Sequence, residues 1–135
     1  MKFFFVLFAV FFSHLSMAGN GIALIPNWNV SAQTGAFDIS NITDNPIDVK
    51  IKLYSKDGSI VDLSKYEAES SFTIQPKASK RLTLRQTNSY VGFDFGFGYI
   101  SWSNQTSEQD DSVALIAHYS TRTDGKTPIN QGRPF

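Results

Sequence analysis

The clearest pattern in the chain is an alternation of apolar and polar residues between positions 47 and 54. The apolar side chains fall at every second residue, at Ile47, Val49, Ile51 and Leu53. A period of two places them on one face of a β-strand, whereas a helix would scatter them around its surface. Asp57-Gly58 follows, and this pair supplies the positive φ that a tight hairpin turn needs. The pattern therefore predicts a half-buried antiparallel strand that ends in a hairpin.

Similar short strands are predicted along the chain beyond residue 18. They are separated by turn residues such as Pro26-Asn27, and no stretch shows a convincing helical period, although 64–69 has room for one turn. The predicted strands lie at 22–25, 34–41, 47–54, 60–63, 71–75, 80–85, 97–103 and 112–119. Seven or eight short strands at regular spacing predict an all-β fold, an antiparallel two-sheet sandwich of immunoglobulin-like architecture. A small closed barrel is the alternative.

The first 18 residues have the three segments of a secretory signal peptide. Lys2 carries one positive charge, residues 3–12 are apolar, and small residues occupy positions −3 and −1 of a cleavage site after Ala18. The apolar run is shorter than the ~20 residues of a membrane-spanning helix. We therefore predict export to the periplasm, cell surface or medium, with no stable membrane span after cleavage. Residues 19–126 are predicted to form the sandwich domain, and residues 127–135 a C-terminal tail that wraps the domain or engages a neighbour.

Charge and cysteine content exclude several classes of function. The chain has 12 Lys and Arg against 12 Asp and Glu, and removal of Lys2 with the signal leaves a small excess of acidic residues. Nucleic acid requires a concentrated basic surface, so it is excluded as a partner. The absence of cysteine excludes disulfides, thiol catalysis and thiolate metal sites. The partners that remain are a protein, a carbohydrate and a further copy of the chain in a homo-oligomer. No cofactor is predicted.

His118 is the one histidine that remains after removal of the signal. A hydrolase would need it beside a serine or a carboxylate, and no motif places a nucleophile near it. Asp110 and Asp111 are adjacent carboxylates in a polar stretch, but the spacing of a calcium-binding loop is missing. We therefore predict no catalytic residue and no metal site. An exported hydrolase that uses His118 is the alternative function.

Glycine and aromatic residues alternate between positions 90 and 99. Aromatic side chains offer a large contact area at low entropic cost, and glycine gives the backbone freedom. One interpretation is a contact loop whose binding residues are Phe93, Asp94, Phe95 and Tyr99. The other is a hairpin whose phenylalanines pack beneath the sheet. Trp28 is a further candidate binding residue, with the alternative that it closes one end of the core.

Four stretches, ISNITDNPIDVKIKLYSKDGS, FTIQPKASKRLTLRQ, GYISWSN and ALIAHYSTRTD, follow one another in a recognisable order. Over residues 36–124 this order of strands and turns resembles that of the sensory rhodopsin transducers, in which a segment with histidine and arginine comes last, here His118 and Arg122. The resemblance implies a β-sandwich that works by self-association and protein contact without catalysis. Those transducers are cytoplasmic, so the predicted signal peptide restricts what the resemblance implies to the scaffold.

Overall fold

Two four-stranded antiparallel sheets form the portion of the chain that a computed structural model describes, which is residues 18–30, 34–85, 94–121 and 125–135. The first sheet has the spatial order β1 (Asn20–Val30), β6 (Asp94–Asn104), β3 (Ile47–Ser55), β4 (Ser71–Ile74). The second has the order β5 (Ser79–Leu84), β2 (Gly35–Asn41), β7 (Leu115–Thr121), β8 (Gly125–Pro128). The predicted two-sheet antiparallel sandwich is confirmed.

The likeness to immunoglobulin domains lies in the architecture and not in the strand order. In a constant-type immunoglobulin domain the first two strands are neighbours in one sheet. Here β1 pairs with β6 and β2 pairs with β5 and β7, so the first two strands belong to different sheets.

The predicted alternation builds the core between the sheets. Along β3 the residues at 47, 49, 51 and 53 are all buried, and the charged residues between them face outwards. The inward side chains of β6 include Ile100 and Trp102, and those of β2 include Phe37 and Ile39. The buried side chains at every second position of both sheets therefore fill the space between the sheets and exclude water from it.

The predicted strand at 60–63 is wrong. Ile60 forms a single bridge to Tyr54, and a 3₁₀ helix spans Leu63–Tyr66. The carboxylate of Asp62 accepts a hydrogen bond from the backbone N–H of Ser64 at 3.0 Å and so begins the helix. The single helical turn expected after residue 63 is present, one residue earlier than predicted.

The C-terminal residues are packed on the domain. β8 pairs with β7, a 3₁₀ helix spans Ile129–Gly132, and Ile129 is fully buried. The backbone N–H of Phe135 donates to the carbonyl of Leu115 at 2.9 Å, and its own carbonyl accepts from Leu115 N–H. The predicted domain boundary at 126 falls inside β8, and the segment predicted as a tail lies along β7.

The described fold begins beside the predicted cleavage site. The N–H of Gly19 donates to the carbonyl of Gln109 at 3.0 Å, and the carbonyl of Gly19 accepts from Asn104 N–H at 2.8 Å. The predicted signal peptide lies outside the described residues except for Ala18. Among the residues that are described, no helix has the length and apolar character needed to cross a membrane.

Candidate functional site

The outward side chains of β1, β6 and β3 form an exposed apolar surface on the first sheet. Phe95 and Phe97 are each 40% exposed, and Ile22 and Leu24 on the neighbouring strand are 65% and 50% exposed. Strand register places Leu24 opposite Tyr99. We call this surface the aromatic face and define it by the outward residues Ile22, Leu24, Lys50, Lys52, Tyr54, Phe95, Phe97 and Tyr99.

The aromatic side chains of β6 face outwards because glycines occupy the alternate inward positions. A Cβ at Gly98 would lie 2.5 Å from the carbonyl oxygen of Lys52, and a Cβ at Gly96 would overlap the carbonyl oxygen of Tyr54. Both distances are far below van der Waals contact, so β3 can approach β6 closely only where the side chain is absent. The alternation of glycine and aromatic residues therefore belongs to a strand. The glycine side of β6 lies close to the backbone of β3, and the aromatic side faces solvent.

Three rings of the aromatic face hold one another in fixed orientations. The rings of Tyr54 and Phe97 are stacked, with centroids 5.0 Å apart and an interplanar angle of 11°. Tyr99 meets both of them edge-on, at 6.3 Å and 6.0 Å. Such aromatic pairs contribute ~0.5–1.5 kcal/mol each beyond burial. Rings that are ordered before binding lose little entropy when a partner covers them.

Positive charge on the aromatic face has no ionic partner among the described residues. No ion pair joins Lys50 or Lys52 to a carboxylate there. The Nζ atom of Lys52 lies 5.1 Å from the centroid of the Tyr54 ring, a cation–π contact. A groove of about 580 Å³ runs beside these lysines and is also lined by Tyr99 and Ser71.

The two carboxylates nearest the face are engaged by neutral donors. Asp48 accepts from the hydroxyl of Thr73 at 2.6 Å and from the side-chain amide of Gln105 at 3.0 Å, and these bonds, with a smaller contribution from the charge of Lys50, lower the pKa of Asp48. Asp94 accepts from Ser55 Oγ at 2.6 Å and from the hydroxyl of Tyr66 at 3.3 Å. Burial and the neighbouring Asp94 carboxylate raise the pKa of Tyr66. Neutral donors hold both carboxylates, and neither forms an ion pair with the lysines.

Of the residues predicted to bind, Asp94, Phe95 and Tyr99 lie together on β6. Phe95 and Tyr99 belong to the aromatic face, whereas Asp94 alternates with them on the inward side of β6 and accepts from Ser55 and Tyr66. Phe93 is outside the described residues.

The prediction that Trp28 contacts a ligand is wrong, because its side chain has no exposed surface. Its indole Nε1 donates to the carbonyls of Tyr54 and Phe97, at 3.0 Å and 3.1 Å. Trp28 lies opposite Gly96 in the β1–β6 register and fills the space beneath the aromatic face. It supports the strands that carry the face and closes the core, which was the alternative for this residue.

His118 lies on the outward side of the second sheet, opposite Asp38 on β2 and Pro128 on β8. The guanidinium of Arg81 donates two hydrogen bonds to Asp38, at 2.6 Å and 2.9 Å. These bonds are the main reason that the pKa of Asp38 is lowered. Within the described ranges, no hydrogen bond joins His118 to a serine hydroxyl or a carboxylate, so the geometry of a nucleophile and its base is not formed around it there.

The acidic residues that follow β6 do not form a metal site in the described chain. The Oδ2 atom of Asp111 accepts from the side-chain amides of Asn45 and Asn104, at 3.0 Å and 2.7 Å. Those amide hydrogens point to where a cation would bind and would repel it. Across the ranges that the structure describes, no three His, Cys, Asp or Glu side chains are grouped closely enough to hold a metal ion.

Sequence reasoning missed the remaining residues of the aromatic face, namely Ile22, Leu24, Lys50, Lys52, Tyr54 and Phe97. The alternation in β3 already placed Lys50, Lys52 and Tyr54 on the outward side. Ile22 and Leu24 had no such signal, because β1 is apolar on both faces. Their exposure follows from the orientation of β1 in the first sheet, which turns Ala23 and Ile25 into the core and Ile22 and Leu24 outwards.

A comparison with known proteins finds no matching family, no similar curated protein and no similar solved structure. The resemblance to sensory rhodopsin transducers therefore stays a prediction.

Proposed function

We propose that this protein is an exported, non-catalytic β-sandwich that binds a partner protein through the aromatic face. The observation that carries the proposal is the continuous outward patch of ordered aromatic and branched aliphatic side chains on the first sheet. A soluble protein buries such surface unless it is used, and continuous exposed apolar patches mark interaction sites. Aromatic residues are also enriched at the centres of protein interfaces.

The ring geometry favours a protein over a carbohydrate as the partner. A sugar stacks on a ring whose flat face is open to solvent. Here the rings of Tyr54 and Phe97 cover each other, and Tyr99 turns its plane nearly at right angles to both. Ile22 and Leu24 add branched methyl groups, which pack against apolar side chains and cannot hydrogen-bond to hydroxyl groups.

Export is supported by the pattern of residues 1–18. Gly19, the residue after the predicted cleavage site, forms backbone hydrogen bonds with Gln109 and Asn104. A protein without cysteine also needs no oxidising compartment to fold, so passage through one leaves its chemistry unchanged.

The test compares three forms of the full chain expressed in a host that exports it. A variant with Phe97→Ser and Tyr99→Ser changes the aromatic face, and Ile60→Ser removes an exposed apolar side chain outside that face. We expect a partner retained by the wild type and by Ile60→Ser to be lost from the double variant, with equal circular dichroism for all three. Equal retention by all three forms would show that the aromatic face is not the binding site.

A further inference from the structure

We infer that the partner seated on the aromatic face is a second copy of this chain, which inserts its acidic loop. The acidic loop is residues 105–113, which follow β6 and include Glu108, Asp110, Asp111 and Val113. Copies would then associate head to tail. This inference rests on the proposed function, because it names the partner of the same face.

Charge complementarity is the first argument. The chain has equal numbers of basic and acidic residues, and several of them pair locally, as in Lys80 with Glu69 and Arg81 with Asp38. The lysines of the aromatic face are not paired within the described residues, and neither are Glu108 and Asp110, which are exposed. Two of the surfaces that carry charges without an ion pair, the aromatic face and the acidic loop, are therefore of opposite sign.

Apolar complementarity is the second argument. Val113 is 45% exposed and lies at the end of the acidic loop. A loop that carries carboxylates and one branched apolar side chain matches a groove lined by lysines and by apolar residues such as Ile22 and Tyr99. Burial of Val113 against these residues would supply the non-ionic component of the contact.

The acidic loop is held in place beside the start of β3, where Gln105 donates to Asp48, and its carboxylates form no ion pair with Lys50 or Lys52 among the described residues. Asn45 and Asn104 anchor Asp111, and the N–H of Gly19 donates to the carbonyl of Gln109. Ser101 is the residue of β6 opposite Lys50. At ~3.3 Å per residue, the loop begins ~13 Å farther along the strand. We therefore expect Glu108 and Asp110 to pair with the lysines of another copy.

The inferred contact joins two different surfaces, so it is heterologous and leaves one free surface at each end of the assembly. Exposed ion pairs are individually weak and are screened by salt. We therefore expect reversible self-association that increases with protein concentration and decreases with ionic strength.

Two charge-reversal variants of the exported chain test the inference by sedimentation velocity. The face variant carries Lys50→Glu and Lys52→Glu, and the loop variant carries Glu108→Lys and Asp110→Lys. We expect each alone to associate at least tenfold more weakly than the wild type, because like charges then meet. An equal mixture should recover association, because each face then finds a loop of opposite charge. Recovery in the mixture also shows that both variants are folded.

Three results would overturn the inference. If the wild type stayed monomeric at high concentration and low salt, the partner of the aromatic face would be a different protein and not a second copy. A loop variant that associates like the wild type would show that the acidic loop is not part of the contact. A mixture that does not recover would show that the two surfaces do not meet. None of these results removes the proposed function, which fails only if the Phe97→Ser and Tyr99→Ser variant keeps every partner.

Discussion

The outer faces of the two sheets are built by the same alternation and carry opposite kinds of side chain. On the first sheet, apolar rings are open to solvent and two lysines have no carboxylate partner among the described residues. On the second sheet, Asp38 holds Arg81 through two hydrogen bonds, and the hydroxyls of Ser40 and Ser79 are 2.7 Å apart. The second face satisfies its polar groups across neighbouring strands, whereas the first keeps exposed groups that a partner can satisfy.

The contrast shows that an outward position does not by itself indicate a binding residue. His118 faces outwards between Asp38 and Pro128 on the second sheet, although its residue type made it the first catalytic candidate. Phe97 faces outwards on the other sheet, although its sequence neighbours allowed it to be read as core. What distinguishes the two faces is that Arg81 on the second sheet pairs with Asp38 across neighbouring strands, whereas Lys50 and Lys52 on the first sheet form no ion pair among the described residues.

The largest effect is expected for Trp28→Ala, which removes the support beneath the aromatic face. We expect the free energy of unfolding to fall by ~3–5 kcal/mol, because the change leaves a cavity and removes the indole donor to two carbonyls. Urea denaturation measures it, with Trp28→Phe as the milder control. If Trp28→Ala kept wild-type stability and lost partner binding, Trp28 would be a binding residue. The conclusion that it supports the strands from within the core would then be wrong.

The second effect tests why the rings of β6 face outwards. Gly98→Ala should lower the free energy of unfolding by ~1–3 kcal/mol, because a Cβ there overlaps the neighbouring strand. Ser101→Ala, on the outward side of the same strand, should change it by less than ~0.5 kcal/mol. The two variants are compared by thermal and urea unfolding. Equal stability of both variants would show that a side chain at position 98 does not disturb the packing of β6 against β3.

The third effect tests whether Phe97 belongs to the surface. Phe97→Ala should cost ~0.5–1.5 kcal/mol, the contribution of its aromatic contacts, and should lower binding of an apolar fluorescent dye. Ser79→Ala on the opposite sheet is the control and should leave dye binding unchanged. A loss as large as that for Trp28→Ala would place Phe97 in the core and remove the contrast between the two faces.

The smallest effect is expected for the pH dependence of stability that Asp38, on the outer face of the second sheet, contributes. The pKa of Asp38 is lowered in the folded chain, so its carboxylate stabilises the fold above the unfolded-state value of ~3.9, and that contribution is lost as pH falls through the lower folded-state pKa. The stability difference between wild type and Asp38→Asn should be small and constant near neutral pH, and should disappear in acid. Lys50→Gln on the aromatic face is the control. A difference that grew as pH fell would contradict the assignment.

Some elements of the fold had no signal in the sequence. β8 consists of Gly, Lys, Thr and Pro and is exposed along its whole length, so no hydrophobic period marks it. Its strand form comes from pairing with the edge of β7. The run Ile60–Leu63 had a signal that was ambiguous, because so short an apolar run fits a strand as well as a turn. In the structure, the cap at Asp62 begins a 3₁₀ helix there.

The sequence by itself determined the period of the strands, and with it the all-β class, the inward set of β3 and the outward position of Lys50, Lys52 and Tyr54. These follow from local backbone geometry, since successive side chains of a strand point to opposite faces. Only the tertiary structure decided which outward residues meet. Strand order brought Leu24 of β1 opposite Tyr99 and put the indole of Trp28 against the backbone of Tyr54 and Phe97, because pairing between strands distant in sequence depends on the packing of the whole core.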